Sequence, residues 1–361
     1  EVQQVRQGVN PTPASGWYPP LASGLFFLLV QIAPETAFFL KWIIFLIISI
    51  GAALLYSLRY LGKTSALVMG LSLIGTYLLL GPILFFGRYD LLIGIILMLA
   101  WQAYERRRFS DAALFLVLAG SLKLVPFLLI PFLFLLPNSR AQGRALLRGI
   151  GKGMTLLGVF LIPMFGLNYL GHNIQAVLRF HATRGIQIES SWSAFEMLIQ
   201  RWQGYYSQIA LNNYAWHNMD RGILTESVAL VVMLGGIFWL YGSAYRQKQL
   251  PSYCSVIYFL LAFLWVLATA PVFSASYLMW VMPSLLGLIG IRYLQDRRGW
   301  NLVGIALLTV TLGILTPLVF PLFFEALIAQ ELWIVVLLNI RNLTLFLLFA
   351  LLYSQVRRTT P

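Results

Sequence analysis

Apolar stretches of about 20 residues recur along almost the whole chain, with short polar breaks between them, and few other architectures tolerate that pattern. A stretch such as Phe38-Phe-Leu-Lys-Trp-Ile-Ile-Phe-Leu-Ile-Ile-Ser-Ile-Gly-Ala-Ala-Leu-Leu-Tyr56 has no alternating polar face for a sheet edge. In lipid its backbone groups must bond within their own segment, which an α-helix achieves. Sixty per cent hydrophobic residues, 10% charged residues and a mean hydropathy of +0.80 place the chain outside the soluble range. The expected fold is all-α, a polytopic transmembrane helical bundle.

The runs predict crossings at 36–58, 64–86, 90–104, 154–170, 224–243, 252–270, 278–294, 301–320 and 335–354. Residues 110–137 are long for one crossing and short for two. A tight hairpin with Lys123 near its turn keeps Arg140, Arg144, Arg148 and Lys152 on the side that the other basic segments choose. Counting that hairpin as two gives about eleven crossings. Leu21–Ala33 is apolar but spans only about 20 Å as a helix, short of a hydrocarbon core of about 30 Å. It is expected on the outer surface or as a dipping helix that joins the first span, so that 1–35 forms an external loop and interfacial helix of a single 1–361 transmembrane domain. The chain starts at Glu1 without methionine, and an upstream signal peptide or first transmembrane helix is expected to precede it.

A net charge of +13 suggests nucleic acid in a soluble protein. Here the basic residues cluster in short loops such as Arg106–Arg108 and Arg297-Arg298, with no interleaved exposed aromatics, so membrane orientation explains them and nucleic acid is not an expected partner. The bias makes those loops cytoplasmic and places the 171–222 loop outside. That loop holds all three histidines, His172, His181 and His217.

Several motif-like patterns carry no chemistry. Cys254 is the single cysteine and lies in an apolar run. No His-x-x-x-His or Cys-x-x-Cys pair exists, so no intrinsic metal site is expected, although a divalent cation is not excluded. Gly149-Ile-Gly-Lys-Gly-Met154 lacks the Gly-Lys-Ser/Thr ending of a phosphate loop and reads as a positive-inside anchor. No internal repeat suggests inverted transporter halves.

The ionisable residues at the outer edge and within spans are the informative ones. Asp90 opens a crossing two residues after Arg88, as a helix-start carboxylate, an ion-pair partner or a functional acid. Lys123 lies in an apolar hairpin, where a charge needs a partner or a phosphate. Pairing with Asp90 and binding a lipid phosphate both fit. Arg341 sits about 9 Å into the last span, deep enough to need a partner and shallow enough to reach a headgroup. In Arg179-Phe-His-Ala-Thr-Arg-Gly-Ile-Gln-Ile-Glu-Ser190, His181 and Arg184 share a face if 174–184 is helical, with Gly185 able to end that helix. Glu189 follows at extended spacing, as an orienting group for Arg184, a ligand for sugar hydroxyls or a base.

Five blocks carry a family resemblance: Gly8-Val-Asn-Pro11 with Trp17-Tyr-Pro-Pro-Leu21, Arg88-Tyr-Asp90, Ser121-Leu-Lys-Leu-Val-Pro126, His181–Ser190, and Ser274-Ala-Ser-Tyr-Leu-Met-Trp280 with Pro283. Arg341-Asn342 adds a sixth. In this order the chain resembles GT-C fold glycosyltransferases, in particular glycosyltransferase family 87, the polyprenyl-phosphate-mannose-dependent mannosyltransferases. The chain departs from the family at Ser274-Ala-Ser-Tyr277, where members often read Ser-Pro-Gln-Tyr. It also has no counterpart after Glu1 for the family's aspartate before Gly-x-x-Pro, which is expected upstream.

The resemblance implies an integral protein of a bacterial plasma membrane whose active site faces outward. The donor would be a polyprenyl-phosphate sugar, and the acceptor a lipid-linked or cell-envelope glycan. Such transfer needs one carboxylate to take the acceptor proton and cationic groups to steady the departing phosphate. Asp90 and Glu189 are the candidate catalytic carboxylates. Arg88, Lys123, His181, Arg184 and Arg341 are the candidate substrate contacts. The rival reading is a non-enzymatic transporter or flippase of lipid-linked sugars, which needs no base but does need a polar path across the whole membrane.

Overall fold

The computed structural model describes residues 19–31, 38–135, 140–182, 185–212, 215–219, 223–246, 252–294 and 301–358. They are helical almost throughout. In chain order the helices are α1 (Pro20–Gln31), α2 (Phe38–Tyr56, ending in a π turn, Ser57–Leu61), α3 (Lys63–Gly87), α4 (Asp90–Glu105), α5 (Phe109–Leu122), α6 (Ile130–Leu135) and α7 (Arg140–Ala182). The polar region then contributes β1 (Ile186–Gln187), α8 (Ser191–Trp202), β2 (Ile209–Asn212) and β3 (Ala215–Asn218). The chain closes with α9 (Ile223–Arg246), α10 (Ser252–Thr269), α11 (Met282–Leu294), α12 (Leu302–Pro317), α13 (Phe324–Ile328) and α14 (Leu332–Arg358).

Seven helices among the described residues are long and apolar enough to cross a membrane: Phe39–Leu61, Lys63–Gly87, Arg140–Leu167, Glu226–Arg246, Ala275–Arg292, Leu302–Leu322 and Leu332–Arg358. The other four of the eleven expected crossings fall on shorter pieces. α4 has 16 residues, about 24 Å. The apolar helix in the 252–270 region runs from Val256 to Thr269. The expected hairpin breaks at Lys123, which is extended (φ −155°) and separates α5 from a 3-10 turn, Val125–Leu129. The Phe127 ring then folds back against Gly120, where an added Cβ would stand 2.5 Å from it. The hairpin exists, but its arms of 14 and 11 residues are each too short to span about 30 Å. The short apolar segment expected at Leu21–Ala33 forms α1, 12 residues long, which packs on α5 and α7.

The chain divides into two compact units, 1–66 with 95–183 and 67–94 with 184–361. In the first, α5 packs along α7. Gly149 and Gly153 make this approach possible, because a Cβ would meet the Ser110 carbonyl oxygen at 2.1 Å and the Val117 side chain at 2.8 Å. The glycine-rich segment is thus a close helix contact of the small-x-x-x-small kind. In the second unit, α14 packs against α10, α12 and α8. Gly94 in α4 lets the Met279 carbonyl oxygen come within 2.0 Å of where its Cβ would stand. Buried hydroxyls inside the spans bond back to their own helices, as Ser72 does to Val68 and Thr309 to Ile305, which satisfies those donors.

The polar region is more structured than a loop. Beyond its kink at Gly166 (φ +73°), α7 continues to Ala182, so 174–182 is helical, while 183 and 184 lie outside the described residues. Gly185 takes the left-handed φ of +77°, and the chain enters a three-stranded antiparallel sheet of order β1-β3-β2. His217 on β3 faces Gln187 and Ala210 across the two ladders and is buried.

Candidate active site

Four of the blocks singled out in the sequence meet in the second unit. Asp90 is the first residue of α4. Its position favours a carboxylate there, because the helix start carries partial positive charge. Its Oδ1 accepts a hydrogen bond from Trp280 Nε1 at 2.8 Å, and both residues are buried. Trp280 ends the 3-10 turn Ala275–Trp280 and stacks on Tyr277, with ring centroids 4.5 Å apart. Tyr277 meets Phe273 edge-on at 6.3 Å. The guanidinium of Arg341 lies over the Phe273 ring at 4.6 Å, a contact that partly replaces the water an arginine loses on burial.

Arg341 is fully buried, nine residues after the first residue of α14, or about 13 Å along the axis. That is deeper than a span starting at 335 implies. Its NH1 donates to Glu189 Oε1 at 3.1 Å and its NH2 to the Glu189 carbonyl oxygen at 2.7 Å. Nε and NH2 both donate to Asn342 Oδ1, at 3.1 and 2.9 Å. Asn342 Nδ2 in turn donates to the Glu189 carbonyl. Neighbouring residues on one helix therefore hold both the side chain and the backbone of Glu189. The next residue, Ser190, caps α8 by accepting from the Ser193 N–H, so the turn containing Glu189 is fixed from both sides.

Burial pushes the Glu189 carboxyl above its ordinary 4.5, with Arg341, the exposed Arg88 and the Ala275 amide pulling the other way. Burial and the Arg341 ion pair therefore act on this carboxyl in opposite directions. A continuous series of contacts runs from Asp90 through Trp280, Tyr277, Phe273 and Arg341 to Glu189.

The remaining candidates are placed differently. Lys123 belongs to the first unit, half-buried at the end of α5, with its backbone N–H bonded to the Ala119 carbonyl. His181 lies in the last turn of α7, its side chain outside the described residues, and Arg184 is outside them altogether. Among the described residues no group of three or more His, Cys, Asp or Glu could hold a metal ion. Sequence reasoning quoted Trp280 and Asn342 within their blocks without giving them roles, and it passed over Phe273. The Asp90–Trp280 and Glu189–Arg341 contacts join residues 190 and 152 positions apart, and no local pattern reports such pairs.

No curated protein matches the chain. The sequence profile of glycosyltransferase family 87 matches residues 17–264, which include Asp90, Lys123 and Glu189. With more than half of its length matched, and with several helices apolar and long enough to span a bilayer, this integral membrane protein belongs to glycosyltransferase family 87.

Proposed function

We propose that the protein transfers mannose from a polyprenyl-phosphate donor to a lipid-linked or cell-envelope glycan, with its reactive site on the outer face of the membrane. The observation that carries this reading is the linked series from Asp90 to Glu189, which gathers two carboxylates and an arginine beside the exposed Arg88. In the transfer the acceptor oxygen bonds to the sugar's anomeric carbon while that carbon's bond to the phosphate oxygen breaks. The acceptor proton passes to a carboxylate, and the lipid phosphate leaves as an anion that needs no general acid.

In this reading Asp90 takes the proton. It opens α4 at the edge of an apolar helix, and the Trp280 indole N–H donates to its Oδ1 and holds the carboxylate in place. Glu189 and Arg341 hold each other and act by positioning, while Arg88 meets the donor phosphate. Arg184 is a further phosphate contact in this account. Asp90 and Glu189 are only 1% and 3% exposed, so the cover over them yields when substrate binds, and the transfer proceeds away from bulk water, where charge interactions are stronger.

The test is transfer in vesicles containing the full-length protein and a glycolipid acceptor, with polyprenyl-phosphate mannose, polyprenyl-phosphate glucose and a mannose nucleotide offered in turn. Product from the first donor alone supports the proposal. Product from the nucleotide, or from glucose in preference to mannose, overturns the donor assignment.

A further inference from the structure

α8 carries apolar residues on two faces. Ala194 and Met197 are buried, with Leu198 packed behind them, in a cluster that includes Ile334, Val335 and Leu338 of α14. Phe195, Ile199 and Trp202, at spacings of four and three, form a second stripe, and all three are exposed, Trp202 at 87%. Tyr205 and Tyr206 follow, also exposed, and the Arg201 guanidinium sits 4.0 Å above the Tyr206 ring. Outside a membrane, this much exposed aromatic and aliphatic surface in twelve residues would be an unusual patch.

The depth of the stripe is fixed by what α8 is tied to. At its start, Glu189 is bonded to Arg341 and Asn342. One turn on, the Ala194 carbonyl accepts from Asn339 Nδ2 at 2.8 Å. Past its end, the Ser207 backbone is held on both sides by the Gln330 side chain, N–H to Oε1 at 2.8 Å and carbonyl to Nε2 at 2.7 Å. As α8 advances its partners recede from 342 to 330, so it runs antiparallel to the first turns of α14. Gln330 lies in the connector between two membrane spans, Leu302–Leu322 and Leu332–Arg358. Leu322, Phe323 and Trp333 are exposed at that same edge, with the Phe323 and Trp333 rings 5.0 Å apart. α14 is 27 residues long, about 40 Å against a core of about 30 Å, so a turn at each end reaches the headgroup regions.

We infer that α8 and the turn after it are a bilayer-docking element: Phe195, Ile199 and Trp202 enter the boundary between headgroups and acyl chains, with Tyr205, Tyr206 and Arg201 among the lipid headgroups. Aromatic side chains with polar tips favour that layer, and a guanidinium supported on a ring pairs with lipid phosphate. Docking fixes the depth of α8 and of the Glu189 turn that Arg341 holds beside the lipid, where a lipid-borne substrate arrives. The inference stands whether or not the sugar is mannose.

Nitroxide labels at Phe195→Cys, Ile199→Cys, Trp202→Cys and Gln203→Cys, each in the full-length Cys254→Ala protein in vesicles of phosphatidylcholine with phosphatidylglycerol, test it by power saturation. At 195, 199 and 202, relaxation by oxygen should exceed relaxation by a water-soluble nickel complex, with the order reversed at the polar, exposed position 203. Stronger relaxation by nickel at 195, 199 and 202 overturns the inference and leaves an open face suited to a soluble glycan. Exclusion of both reagents with spin–spin broadening also overturns it and assigns the face to a second copy of the chain.

Discussion

Replacing Arg341 with methionine keeps the apolar stem and removes the charge that Glu189 faces. The Glu189 carboxylate, 3% exposed, then has two choices. It stays ionised without its partner, or it takes a proton from water. From an ordinary value of 4.5, protonation at pH 7 costs at most about 3.4 kcal/mol, at about 1.36 kcal/mol per pH unit. Burial has already raised the carboxyl, which reduces that figure. The bonds lost to the Glu189 carbonyl and to Asn342 Oδ1 restore about 1 kcal/mol each. The net loss is about 3–5 kcal/mol, in the range for breaking a buried pair from one side. The sign with pH follows from linkage. A carboxyl whose folded value lies above its unfolded value binds its proton more tightly when folded, so its destabilising effect fades as pH falls towards 4.5 and grows as pH rises. Thermal unfolding in mild detergent should therefore show a large Arg341→Met deficit at pH 7 that shrinks at pH 5. Adding Glu189→Gln to Arg341→Met should recover part of the pH 7 loss. A deficit below about 1 kcal/mol, or one equal at both pH values, would refute the reasoning.

Trp280→Phe removes the donor to Asp90 Oδ1 while keeping a ring for the Tyr277 stack. Transfer should slow by roughly 10- to 100-fold, the equivalent of about 1.5–3 kcal/mol, with donor binding measured separately and little changed. Gly94→Ala places a methyl 2.0 Å from the Met279 carbonyl oxygen, so it should lower the unfolding temperature markedly, whereas Gly51→Ala, with nothing within 4 Å, should not. The proposed external placement of the polar region predicts that an impermeant thiol reagent added to intact cells labels Gln203→Cys and not Arg107→Cys in the Cys254→Ala background; the reverse pattern refutes that orientation.

The helices were legible because apolar length is a local property, and so was the break near Lys123, because 110–137 is long for one crossing and short for two and the basic residues that follow must keep to one side. Arg341 was legible as a buried cation in need of a partner. Its partner was not, since Glu189 lies 152 residues away on a turn whose direction depends on β1 and α8. Asp90 read as a helix-start acid, which it is, but its indole donor comes from a 3-10 turn that no periodicity announces. The sheet was missed for a related reason. Its strands are two to four residues long, too short for alternation to register, and antiparallel pairing within the polar region sustains them. The glycines at 149 and 153 read as part of a basic anchor because close helix packing depends on the facing helix, which sequence spacing alone does not identify.

The central claim is that Asp90 receives the acceptor proton, and the most direct measurement is mannose transfer by full-length Asp90→Asn protein in vesicles, with donor binding measured on the same preparation. The account predicts transfer slower by about 100- to 10,000-fold with donor affinity within a few-fold of the unaltered protein. Near-normal transfer by Asp90→Asn would contradict it.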